Sequence, residues 1–140
     1  MMKHLTLLCA MATVVALAAC KKDQIALDEL TTNPFDADYA GAAVFTYVDD
    51  TTTIETVGGT PTRVLQVEVR VHEELFGRPT TYQVQAGAPV DQLILSNQVE
   101  DGLLTLRILN TTPGQQYCTL LRLGNGGSFG ASSTVCATAE

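Results

Sequence analysis

The chain has 140 residues, only eight Lys and Arg, a formal net charge of −7, four cysteines and no tryptophan. That balance excludes nucleic acid as a partner, because binding it needs clustered Lys and Arg to displace counterions. The length fits one folded domain and little more.

Residues 1–19 form the first unit. A weakly basic start, Met1-Met2-Lys3-His4, precedes an apolar run from Leu5 to Ala19. Fifteen residues rising about 1.5 Å each reach about 22 Å, short of a hydrocarbon core of about 30 Å. The run stops at Lys21-Lys22-Asp23, so a membrane-spanning helix fits poorly. Basic start, apolar core and closing small residues are the parts of an export signal. Its end, Leu17-Ala18-Ala19-Cys20, resembles the lipobox of bacterial lipoproteins. The resemblance implies cleavage between Ala19 and Cys20, a diacylglyceryl thioether on Cys20 and acylation of the new amino group. It therefore implies attachment to a membrane through lipid at Cys20, since two or more acyl chains anchor stably. In such lipoproteins an aspartate after the cysteine favours retention at the inner membrane. Lys21 stands there, so the outer membrane is expected.

Without the signal, seven Lys and Arg face fifteen Asp and Glu, net −8. Adhesion to anionic lipid by charge alone is thereby excluded. Residues 20–40 read as the lipidated cysteine and a tether, rich in turn formers at Thr31-Thr32-Asn33-Pro34-Phe35-Asp36. As a flexible coil, about 20 residues span roughly 25 Å. Docking of Phe35 and Tyr39 on the domain is the alternative.

From Gly41 to Glu140 the pattern has period two. Leu65, Val67, Val69 and Val71 alternate with Gln66, Glu68, Arg70 and His72, the mark of a strand with one buried and one wet face. Further strands are expected at 43–48, 80–85, 93–95, 103–109, 116–123 and 134–138. Turns are expected at Asp49-Asp50, Gly58-Gly59-Thr60-Pro61, Gly87-Ala88-Pro89, Glu100-Asp101-Gly102, Thr112-Pro113-Gly114 and Gly124-Asn125-Gly126-Gly127. Short strands with no convincing helix predict an all-β, antiparallel sandwich of about seven strands over residues 41–140.

Cys9 leaves with the signal and Cys20 takes the lipid. Cys118 and Cys136 remain, an even pair in a chain sent to an oxidising compartment. Metal binding by the pair lacks further ligands, since His72 is the one histidine of the mature chain. Opposite residues of an antiparallel hairpin have numbers of constant sum, and this pair centres its turn on Gly127. The two cysteines thus oppose each other. Alternation puts Tyr117, Thr119, Leu121, Leu123, Val135 and Ala137 inward, and Cys118, Leu120, Arg122 and Cys136 outward.

The segment Leu109-Asn110-Thr111-Thr112-Pro113-Gly114-Gln115-Gln116-Tyr117 resembles the corner of a fibronectin type III domain, an immunoglobulin-like sandwich. The resemblance implies that Tyr117 is the corner tyrosine, whose hydroxyl bonds back to the upstream chain. The family's core tryptophan is missing.

No catalytic set, cofactor or metal site is expected. His72 falls on a wet face beside Glu73 and Glu74, and Ser96, Ser128, Ser132 and Ser133 lie in no nucleophile motif. The carboxylate pairs Asp36/Asp38, Asp49/Asp50, Glu73/Glu74 and Glu100/Asp101 lack the spacing of a calcium loop. Leu103, Leu109 and Leu120 are candidates for an outer apolar patch. The loops 75–79 and 124–130, with Phe76 and Phe129, are candidates for contact with a partner. The expected function is a non-catalytic envelope lipoprotein, a tethered module for binding or structural contacts with an envelope protein. The alternative is a glycan-binding accessory of a surface uptake system.

Overall fold

The computed structural model describes residues 32–76, 81–87, 93–95 and 99–140. The signal, Cys20 and the tether as far as Thr31 lie outside the described residues. So do residues 77–79 of the first candidate loop, Thr80 of an expected strand, Ala88-Pro89 of an expected turn and Ser96.

Among the described residues eight strands follow in order: β1 (Phe45–Val57), β2 (Thr60–Val71), β3 (Gln83–Ala86), β4 (Leu93–Leu95), β5 (Leu103–Leu109), β6 (Gln116–Asn125), β7 (Ser128–Phe129) and β8 (Ser133–Thr138). One sheet has the order β1-β2-β5-β4, and every pairing is antiparallel. In the other, β6 is central. Gly124 pairs with Gln83 of β3 and Phe129 of β7, and Leu121 with Ala86 of β3 and Ser133 of β8. Strands β7 and β8 therefore lie on the same side of β6 and act as one interrupted strand. Seven strand positions in sheets of four and three give the strand order of a constant-type immunoglobulin sandwich.

Alternation on β2 builds the core. Leu65, Val67, Val69 and Val71 are at most 2% exposed, and they pack with Leu104, Leu106 and Ile108 of β5 and Leu121 and Leu123 of β6. Opposite them on the same strand, Glu68 is exposed and Gln66 and Arg70 are half-buried.

The first strand runs past its expected end. Phe45 to Tyr47 pair with Val71 to Val69, and then Val48 is skipped before Asp49 pairs with Glu68. One extra residue in one strand of a pair is a β-bulge. Asp49-Asp50, expected as a turn, therefore continues the strand, which reverses only at Gly58-Gly59. Both glycines have positive φ, +59° and +84°, as a two-residue hairpin turn of the mirror-image type requires.

Tyr117 closes the far corner. The Tyr117 hydroxyl accepts a hydrogen bond from the Thr112 N–H at 2.9 Å, while the ring is buried in the core. Gly114 turns the corner at φ +76°. Its N–H and that of Ala139 tie this corner to the end of β8, donating to the Ala139 and Gln115 carbonyls. Tyr117→Phe keeps the ring and removes the acceptor, so unfolding in urea should show a loss of about 1 kcal/mol. An unchanged midpoint would mean that the corner bond contributes nothing.

Candidate functional site

Among the described residues three places bring polar or reactive side chains together: the hairpin disulfide, the end of the sandwich where the N-terminal segment docks, and the outer face of the larger sheet.

Cys118 and Cys136 are directly opposed on β6 and β8 and form a disulfide. Cys118 is exposed, as alternation requires, with Thr119 and Tyr117 turned inward beside it. The bond joins residues 18 apart and contributes about 3 kcal/mol in the chain-entropy view. Leu120, next to Cys118, is 44% exposed. Leu103 and Leu109 sit on the outer face of the other sheet, so these leucines occupy opposite sides of the sandwich. They do not form one patch.

At the near end the N-terminal segment is built into the domain. The Asn33 side chain accepts the Phe35 N–H at 3.1 Å, and the Asp36 side chain accepts the Asp38 N–H at 3.2 Å. These are turns made by short polar side chains on their own backbone. Pro34 is buried, and Phe35 and Tyr39 pack on the core. The docking alternative for Phe35 and Tyr39 is the one observed. The segment enters the break between β7 and β8. There the Ala131 N–H donates to the Asp36 carbonyl at 3.0 Å, and the Gly130 N–H keeps its bond to Leu123 at 2.8 Å. A Cβ on Gly130 would lie 2.0 Å from the Pro34 carbonyl oxygen. Only glycine lets the segment seat.

Phe35 meets Phe76 edge-on, and Phe76 meets Tyr82 the same way, each at 5.2 Å. Phe76 is 5% exposed. The expectation of an open aromatic at Phe76 is thus corrected: Phe35, distant in sequence, and Tyr82 pack against it. Phe129 is half-buried, with the Arg122 guanidinium 4.4 Å from its ring centre. The Tyr82 hydroxyl donates to Glu73 at 2.5 Å. Burial first, and then that carboxylate, push the Tyr82 hydroxyl far above its usual range.

His72 is less open than alternation suggested. It lies just past β2, half-buried, with both ring nitrogens engaged: Nε2 with Thr46 Oγ1 at 3.0 Å and Nδ1 with Glu74 Oε1 at 2.6 Å. Hydroxyl, imidazole and carboxylate stand in the order of an activated nucleophile. Acyl transfer also needs a cleft and preorganised oxyanion donors. Two shallow concavities at this end are lined by Thr32 to Ala37, Leu75, Phe76, Asn125, Ser128 and Phe129. Thr46 and His72 line neither. The chain of bonds clamps the start of β1 to the short turn Glu73–Leu75.

On the outer face of the larger sheet, Glu55 of β1 accepts from Gln66 at 2.8 Å and pairs with Arg107 of β5. The Gln66 amide, followed by Arg107, holds the Glu55 carboxyl below the usual carboxylate range. Asp49 is directly opposite Glu68, a like-charge pair. Among the described residues no three His, Cys, Asp or Glu side chains gather around a point that could hold a metal ion.

No protein-family model, no curated protein and no solved structure matches the chain.

Two measurements test this geometry. Gly130→Val should expel the segment, exposing Phe35 to early proteolysis and opening the Ala131 N–H to rapid hydrogen exchange; unchanged exchange would place the segment's hold elsewhere. The hydrogen bond from His72 lowers the Glu74 carboxyl, so the bond persists above the usual carboxylate range and is lost as pH falls through the lowered value. A carboxyl NMR titration should therefore find Glu74 titrating more acidic in the wild type than in His72→Ala; equal midpoints would mean that the pair is open in solution.

Proposed function

We propose that this chain is a non-catalytic lipoprotein of the bacterial cell envelope, held to a membrane through Cys20 and presenting an immunoglobulin-like sandwich for binding or structural contacts. The Leu17-Ala18-Ala19-Cys20 sequence carries this reading. The solvent-facing Cys118–Cys136 disulfide supports it, because such bonds persist in oxidising compartments outside the cytoplasm. Lys21 after the cysteine favours the outer membrane.

The proposed anchor lies close in sequence to one end of the fold. The docked segment joins the sandwich at the end that carries the Glu73–Leu75 turn and the β6–β7 turn. Eleven residues separate Cys20 from Thr32. Even fully extended they reach no more than about 40 Å. On this reading that end lies within about 40 Å of the lipid surface, and the Gly58-Gly59 tip and the Tyr117 corner are at the opposite end of the sandwich.

The glycan-binding alternative needs an open aromatic platform. With Phe76 in the core and Phe129 beneath Arg122, the residues that would form it are occupied. The contact reading is the better supported of the two.

Radiolabelled palmitate should enter the wild-type protein and be absent from Cys20→Ser. Mass spectrometry of the mature product should find an acylated cysteine as its first residue. Label retained in Cys20→Ser, or a mature chain without fatty acid, would overturn the anchor.

A further inference from the structure

The exposed large apolar side chains among the described residues are Tyr47, Val48, Ile54 and Leu120. Three of the four lie on β1. This strand ends its sheet, with β2 on one side and no strand on the other among the described residues. Natural sheets usually blunt such an edge with lysine, proline or a short strand. β1 is 13 residues long, has neither residue, and carries the β-branched run Thr51-Thr52-Thr53-Ile54. Its one irregularity is the bulge at Val48.

The hairpin fixes which backbone groups are free. In a two-residue turn the flanking residues, Val57 and Thr60, form a hydrogen-bonded pair. Counting back by twos, Glu55, Thr53, Thr51 and Asp49 spend their N–H and C=O groups on β2. Asp50, Thr52, Ile54 and Thr56 turn theirs to the open edge. The Asp50 N–H agrees, since it donates to the Asp49 carboxylate at 2.9 Å rather than to β2.

The charge beside this edge is one-sided. β1 has Asp49, Asp50 and Glu55 and no Lys or Arg. Glu55 is neutralised by Arg107, but Asp49 faces Glu68, and Asp50 has only the Tyr47 hydroxyl, at 2.8 Å. Among the described residues no cation pairs with Asp49, Asp50 or Glu68. A second copy of this chain would bring the same acids to the seam, so charge complementarity selects a basic occupant.

We propose that the open edge of β1 is a strand-addition site for an extended partner segment in which apolar residues alternate with Lys or Arg. Backbone bonds to Thr52, Ile54 and Thr56 would supply register. Apolar side chains would cover Tyr47 and Ile54 on the inner face, and the basic ones would meet Asp49 and Glu68 on the outer one. The proposal deepens the reading of the domain as a contact module by naming the contact, and it does not need the anchor.

The test uses the mature protein in detergent with a nine-residue peptide alternating Val and Lys, and one alternating Val and Glu as the control. The Val/Lys peptide should bind and slow hydrogen exchange at the Thr52, Ile54 and Thr56 amides, and the Val/Glu peptide should not. Ile54→Pro removes one outward N–H without touching the bonds to β2, where an edge proline is tolerated. It should weaken binding at least tenfold with charge unchanged, and Asp49→Lys with Asp50→Lys should do the same. Binding kept within twofold in both variants would overturn the site. So would no binding by folded, palmitate-labelled protein, or a dimer that Ile54→Pro dissociates, which would make a second copy the occupant. Loss of palmitate label alone would sink the anchor and leave this site standing.

Discussion

Burial of one face of β2 against β6 is the constraint on which the rest of the molecule depends. Leu65, Val67, Val69 and Val71 are almost fully buried, and Leu121 and Leu123 meet them from the opposite sheet. Side chains of this size each contribute about 1.5–3 kcal/mol when removed from water. A slip of one residue would turn all four to solvent and bring Gln66, Glu68 and Arg70 inside. Register is therefore fixed at β2 and passed outward, through the Gly58-Gly59 turn to β1 and through the pairing of Val64 to Arg70 with Leu109 to Leu103 to β5. On β6 the inward set Tyr117, Thr119, Leu121 and Leu123 fixes which cysteine face points out. The disulfide and the tyrosine corner reinforce a register that packing has already chosen.

What could be read in the sequence was what depends on local alternation. β2, β5 and β6 were legible because one face of each is buried along its length. The cysteine pairing was legible because a hairpin with a short loop makes sequence distance into geometry. Where partners are remote, the reading failed. Phe76 follows two glutamates and looks exposed, yet Phe35 and Tyr82 close over it. His72 alternates with the polar face of β2, yet β2 stops at Val71, and Thr46 and Glu74 hold the ring. Asn33-Pro34 has the chemistry of a linker turn, and only the gap at Gly130 makes it a docked segment. The first strand was truncated because Asp49-Asp50 is turn-like and the bulge at Val48 breaks the period. The β-branched run from Thr51 to Ile54 was the available signal that the strand went on.

The acidic excess has a structural cost that the fold tolerates unevenly. Glu55 has both an amide and a guanidinium, and its carboxyl is held in the charged form. Asp49 and Glu68 share a cross-strand position with neither, and like charges directly opposed are destabilising. Both side chains are exposed, so water carries most of the repulsion. Such an arrangement also discourages edge-to-edge pairing of identical chains, an outcome that a long threonine-rich edge otherwise invites. The acids on β1 thus serve where lysine or proline would in other sheets.

Unequal strand lengths explain why that edge is bare. At about 3.3 Å per residue, β1 extends roughly 40 Å and β8, six residues long, about half as far. Both strands end their sheets on the same side of the sandwich, and Thr52 of β1 accepts the Glu140 N–H at 3.0 Å just past the end of β8. Beyond that contact the smaller sheet has nothing to place over β1, so the inner face of the strand stays open at Ile54, 61% exposed. The bare stretch of β1 therefore lies where the shorter strand of the facing sheet has already ended.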